Sequence, residues 1–228
     1  MEGYTRSSFQ YQNDSFPIYR RGQGPGVIIL HEIPGITPQV RRFADRVADD
    51  GFTVVLPELF GTAVRPLSLG YALSTAAHAC IRREFHVLAR HHSSPIVEPL
   101  RALCRQLHAE LGGPGIGALG MCFTGNFALG MMVDPAVAAP VMSQPSLPFG
   151  ISASHRRALH ISDAELRVIQ DRMARGDKVL GLRFSMIWPV PRHASSICDR
   201  RSVKASRRSR STPPPAALMA TRGLRIAC

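Results

Sequence analysis

An α/β fold is predicted, with a mostly parallel sheet covered by helices on both faces and its C-terminal end truncated. Three observations carry it. Short, mostly apolar runs (Gly26–Leu30, Phe52–Gly61, Ile116–Leu119) read as strands buried on both sides. Between them lie segments with helical spacing, such as Val40, Phe43, Ala44 and Val47. The two patterns alternate along the chain, as in units that build parallel sheets with right-handed crossovers.

Taken in order, Gly26-Val27-Ile28-Ile29-Leu30 is the first buried strand, bounded by proline and glycine. "TPQVRRFADRVADDG" is an amphipathic helix that Gly51 stops, and Phe52–Gly61 is the next strand, ending in a proline-rich loop. Ile96, Leu100, Leu103, Cys104, Leu107 and Leu111 mark one helix face, closed by Gly112-Gly113. A strand at Ile116–Leu119, a helix over Asn126–Val133 and a strand over Ala136–Met142 follow. Ser162-Asp163-Ala164-Glu165 has the form of a capping box and opens a helix through Leu166, Ile169 and Met173. Gly176 ends it, and Val179–Phe184 reads as one more buried strand.

Composition narrows the class. The 228 residues, 45% hydrophobic and 19% charged, suit one globular core with an appendage. The first fifteen residues are polar, so no secretory leader is expected. The uncharged stretch Leu111–Val133 is broken by glycines and a proline, which fits a buried strand, turn and helix rather than a membrane span. Cys80, Cys104, Cys122, Cys198 and Cys228 form no C-x-x-C pair, so reduced thiols in a cytoplasmic protein are expected, with no metal site. Of the net charge of +12, residues 186–228 hold +8, with nine Lys and Arg against the single acid Asp199. That segment is rich in Arg, Ser, Pro and Ala and shows no helical or strand period. The expected division is therefore a folded domain over residues 1–185 and a basic, disordered tail over 186–228.

Ligands of an open parallel sheet bind beyond the carboxyl ends of its strands. His31-Glu32, Pro57-Glu58 and Gly120-Met121-Cys122 fall there. The third has the form G-x-C-x-T-G between a strand and a helix, the context of a nucleophile held on a sharp elbow. Gly120, Thr124 and Gly125 are read as small because the backbone crowds itself at such a bend. The following helix aims its N-terminus at the thiol and favours thiolate, and the Phe123 N–H faces an oxyanion formed by attack on a carbonyl. A thiol that merely packs is the competing reading, and it is preferred for Cys80 and Cys104.

"VIILHEIPGI", "FTVVLPELFG" and "GALGMCFTGNFALG" together resemble the dienelactone hydrolase family of α/β-hydrolases, over roughly Gly26 to Phe184. The resemblance implies an enzyme that opens lactones or carboxylic esters with Cys122 as nucleophile. By it, Glu32 contacts the resting thiol and helps generate thiolate, and the backbone amides of Ile33 and Phe123 form the oxyanion hole. The family completes its triad with an aspartate after the strand that Val179–Phe184 resembles and a histidine near the C-terminus. Here "SMIWPVP" follows that strand without an acid, and only His193 and Asp199 come later, six residues apart. His193 is read as a tail residue. Period, acids and family motifs are lost together at residue 186, which fits either a divergent end or, the preferred reading, a reading-frame change near that codon, so impaired activity is expected.

Other features suit structural or solvated roles. His31 is a packed strand-end residue, and His91-His92 and Arg82-Arg83 are solvated. "GGPGIGALG" leads into a strand instead of following one, and no nucleotide-binding fingerprint is present, so no cofactor is expected. The expected partner is a small-molecule ester or lactone, with no membrane; the oligomeric state is left open. Nucleic acid is not expected, because the tail lacks interleaved aromatics. A non-catalytic α/β-hydrolase scaffold and a nucleic-acid-binding protein working through the basic tail are the alternative readings.

Overall fold

The computed structural model describes residues 1–66, 68–81, 94–145, 161–184 and 224–227. Among the described residues eight strands form one sheet: β1 (Thr5–Tyr11), β2 (Asp14–Arg21), β3 (Gly26–Leu30), β4 (Thr53–Pro57), β5 (Ile116–Met121), β6 (Val137–Ser143), β7 (Leu180–Phe184) and β8 (Leu224–Ala227). Their spatial order is β1-β2-β4-β3-β5-β6-β7-β8. Strands β4, β3, β5, β6 and β7 are parallel, while β1, β2 and β8 run antiparallel to their neighbours.

The apolar runs are continuous because the central strands are buried on both faces. Ile28 and Leu30 of β3 point into a core shared with Leu100, Leu103, Cys104 and Leu107 of α3 (Val97–Leu111) and Phe127 of α4 (Gly125–Met131). Ile29, between them, points to the opposite face. There it packs with Val54 and Leu56 of β4 and with Val40, Ala44 and Ala48 of α1 (Pro38–Asp49). Helices therefore cover both faces, as the alternation predicts.

Helix α1 starts where predicted, for a local reason. Thr37 is extended at the N-cap, its hydroxyl accepts from Val40 N at 3.3 Å, and Pro38 begins the helix. The capping box of α5 (Asp163–Ala174) also forms: Ser162 Oγ accepts from Glu165 N, and Glu165 Oε2 accepts from Ser162 N at 3.1 Å. Glu165 has a second duty. Its Oε1 accepts from Arg101 Nη2 at 2.6 Å, and the same nitrogen donates to Gly130 O at 2.6 Å. Arg101 is 9% exposed on the core face of α3, and its guanidinium ties α3 to α4 and α5. Arg101→Met leaves the Gly130 carbonyl and the Glu165 carboxylate without this donor. We expect a loss of about 2 kcal/mol in unfolding free energy, read from urea titration, with Arg101→Lys recovering part of it.

Five elements depart from the sequence expectations. The hairpin β1–β2 is absent from the sequence expectations, although Phe9, Phe16 and Ile18 supply its buried side. Helix α2 (Leu69–Ile81) is likewise absent from the sequence expectations. The strand expected over Phe52–Gly61 is only Thr53–Pro57, because Glu58 onward turns into a loop tied by Glu58 N donating to Pro17 O at 2.8 Å. Finally, Leu224–Ala227, inside the segment expected to be a disordered tail, pairs antiparallel with β7, so the sheet does not end at β7. Four residues carry only two repeats of alternation, too few to register as a strand in the sequence. The remainder of 186–228, including His193, Cys198, Asp199 and Cys228, lies outside the described residues, as do Arg82-Arg83 and His91-His92.

Candidate active site

The parallel register brings the predicted strand ends together. Leu30 of β3 pairs with Gly120 of β5, so Glu32 and Cys122 leave adjacent strands at the same level. Ile33 and Phe123 follow one residue beyond each. Cys122 opens a 3-10 turn (Cys122–Thr124) that leads directly into α4. Its φ is +52°, a left-handed conformation that costs a non-glycine residue about 1–2 kcal/mol. The bend is tight enough that a Cβ on Gly120 would lie 2.1 Å from Thr124 O, so glycine is required there. The thiol is partly exposed, whereas that of Cys104 is buried in the core and pushed far above its ordinary range by desolvation.

The sequence asks only that Thr124 be small, but its hydroxyl has a larger part. Fully buried, Oγ1 accepts from Met121 N at 3.0 Å and lies 3.1 Å from Leu30 O and 3.2 Å from His31 O. It stitches the bend to the end of β3. The signal available in the sequence was the threonine itself, two residues beyond the cysteine, where a small apolar residue would have satisfied sterics alone.

His31 is packed, as expected, with no exposed surface. Its ring meets Phe60 edge-on at 4.4 Å, and Nε2 accepts from Leu59 N at 3.1 Å. Burial lowers its pKa from 6.5 to about 4, so the ring is neutral. Glu32 is half-buried, and desolvation raises its carboxyl above the ordinary carboxylate range. Gly35 N donates to Glu32 O at 2.8 Å, closing a turn around Ile33.

The loop after β4 forms the adjoining wall. Glu58 holds it closed: Oε1 accepts from Ala63 N at 2.6 Å and Oε2 accepts from Tyr19 Oη at 3.2 Å. Val64 N donates to Ile36 O at 2.6 Å, and a Cβ on Gly61 would meet Pro34 O at 2.0 Å, so this loop and the turn after β3 lie backbone against backbone. Phe60 reaches Phe123 at 6.2 Å between ring centres, and Phe123 meets Phe127 edge-on at 5.1 Å. Among the described residues, no group of three or more His, Cys, Asp or Glu side chains is placed to hold a metal ion. No helix among them is long and apolar enough to cross a membrane.

A mostly parallel sheet of this strand order, with a strained residue on a strand–turn–helix bend at the carboxyl end of β5, defines an α/β-hydrolase fold. The model of the dienelactone hydrolase family matches residues 17–162, and the chain belongs to that family. It is 31% identical over 122 residues to a Saccharomyces cerevisiae protein named "Putative carboxymethylenebutenolidase", covering 52% of this chain and 42% of that one. It is 27% identical over 158 residues to "Hydrolase tropI" of Talaromyces stipitatus, covering 65% of this chain and 54% of the relative. The chain thus spans about half the length of these curated relatives. A crystallised Klebsiella pneumoniae protein described as "Putative Dienelactone Hydrolase" is 15% identical, with a TM-score of 0.49, 77% of this chain covered and 82% of that one.

Proposed function

We propose that this chain is a hydrolase of lactones or carboxylic esters that uses Cys122 as its nucleophile. The observation that carries the reading is the left-handed backbone at Cys122, on a bend level with Glu32. Strain of this kind is retained where it serves to present a side chain. In the proposed reaction Glu32 takes the proton of the thiol, a transfer made easier by the burial that raises its proton affinity. The thiolate sulfur attacks the carbonyl carbon, and the oxyanion faces the amides of Ile33 and Phe123. The C–O bond then breaks, the leaving oxygen takes a proton from solvent while Glu32 gives its own back to solvent, and water cleaves the resulting thioester to the free acid and the thiol. The substrate is a small ester or lactone, and reduced Cys104 and Cys122 fit a cytoplasmic setting.

Turnover by this exact chain is proposed to be weak. His31 is not available as a general base, since Leu59 N already occupies its Nε2. Beyond Phe184 the sequence offers only His193 and Asp199, on a proposed basic tail over 186–228. Proton transfer by a positioned histidine is typically worth about 10²–10⁴ in rate. Iodoacetamide at mildly acidic pH tests the nucleophile: mass mapping is expected to find Cys122 alkylated well before the other four cysteines. Equal labelling of all five defeats the reading. Translating the other two frames of the coding DNA past codon 185 tests the frame change, which is abandoned if neither yields a patterned end with an aspartate and a histidine.

A further inference from the structure

His31 is a fully buried, titratable side chain at the strand ends that the proposed reaction does not use. Its hydrogen bonds fix its chemical state. Leu59 N can only donate, so Nε2 must be the unprotonated nitrogen. The proton therefore sits on Nδ1, which lies 3.1 Å from Glu32 O and donates to it. That carbonyl belongs to the same peptide plane as Ile33 N–H, one of the two proposed oxyanion donors. Gly35 N donates to the same oxygen at 2.8 Å. Two donors on one carbonyl hold the plane in one orientation and polarise its N–H. The other donor is held alike: Cys122 O, in the plane of Phe123 N–H, accepts from Gly125 N. Thr124 Oγ1 then joins the two halves through the carbonyls of Leu30 and His31.

We infer that His31 is a positioning residue: its neutral imidazole aims the Glu32–Ile33 peptide so that Ile33 N–H points at the developing oxyanion. The role rests on the hydrolase reading above. It differs from that of a base, because the ring moves no proton during the reaction. It differs also from plain packing, because only the Nδ1 side of the ring is needed for it. Asparagine can place an amide N–H near Nδ1, whereas glutamine can place an acceptor near Nε2 and lacks the donor to Glu32 O. Leucine lacks both.

The experiment compares two rates in the full chain. Acylation is read from the first-turnover release of p-nitrophenol from p-nitrophenyl acetate, which needs the oxyanion site. Alkylation of Cys122 by iodoacetamide forms no oxyanion and reports thiol reactivity alone. His31→Leu and His31→Gln are expected to slow acylation about 10–100-fold while leaving alkylation unchanged, the cost of a misaimed donor. His31→Asn is expected to restore most of the acylation rate. If His31→Leu does not fold, the Asn and Gln variants decide between them, and Gln equal to or faster than Asn overturns the inference. Acylation and alkylation falling in the same proportion also overturns it, since that is the mark of a collapsed bend. If p-nitrophenol release survives Cys122→Ala, the hydrolase reading falls and this inference falls with it. If release depends on Cys122 but His31→Leu acylates at the wild-type rate, the inference alone is lost.

Discussion

Cys122→Ala is expected to bring ester turnover down to background, a loss of about 10³-fold or more, without loosening the fold. Removing a nucleophile leaves only binding and any oxyanion stabilisation, which act on an attack that no longer occurs. The fold is spared because the thiol is partly exposed and fills little of the core. Cys122→Gly carries the argument further. At φ +52° the cysteine pays a steric cost that glycine does not. The glycine variant should therefore be at least as stable as the parent, by up to about 1 kcal/mol after its greater loss of chain entropy. Activity lost together with stability retained or gained is the mark of a residue kept for chemistry. Turnover of p-nitrophenyl acetate and urea unfolding of the three proteins measure both quantities. A cysteine held only for packing predicts the reverse, with unchanged turnover and lower stability in both variants.

The central sheet was legible because each inner strand is buried on both faces, so its apolar character runs unbroken. Ile28 and Leu30 face one core and Ile29 the other, and the sequence shows simply three large apolar residues in a row. The helix starts were legible because caps are local: Thr37 and Ser162 bond to amides three residues away. The elbow was legible for the same reason, since Gly120, Cys122 and Thr124 lie within one bend. What escaped depends on contacts distant in sequence. Arg101 sits on the apolar face of α3, one residue after Leu100 and three before Cys104, which marks it as unusual. Its partners at Gly130 and Glu165 lie 29 and 64 residues away. The ring of His31 is fixed by Leu59, 28 residues on, and no spacing rule joins those two. The outer antiparallel strands β1, β2 and β8 were harder to read: β1 and β2 bury only part of their residues and β8 is four residues long, which leaves a weaker pattern.

Acidification should cost this protein about 3 kcal/mol of stability between pH 6.5 and pH 4 through His31 alone. Burial lowers the folded-state pKa from 6.5 to about 4, because a charged imidazole would be stranded out of water and could no longer accept from Leu59 N. Above pH 6.5 the ring is neutral in both folded and unfolded chains, and the full stability is present. As the pH falls from there, the unfolded chain takes up a proton that the folded chain refuses, so the balance shifts toward unfolding. Near the middle of the window the slope is about 1.4 kcal/mol per pH unit, and below pH 4 the loss levels off. Glu32 works the other way: burial raises its folded-state pKa above the ordinary 4.5, so its protonation as the pH falls relieves a buried charge and offsets part of the loss. His31→Asn separates the two. It removes the titrating ring and keeps Glu32, so its urea midpoint should change far less between pH 6.5 and pH 4.5 than that of the parent. Parallel curves for parent and variant across that range would mean that His31 accepts its proton in the folded state, and that its ring is not locked between Leu59 and Glu32.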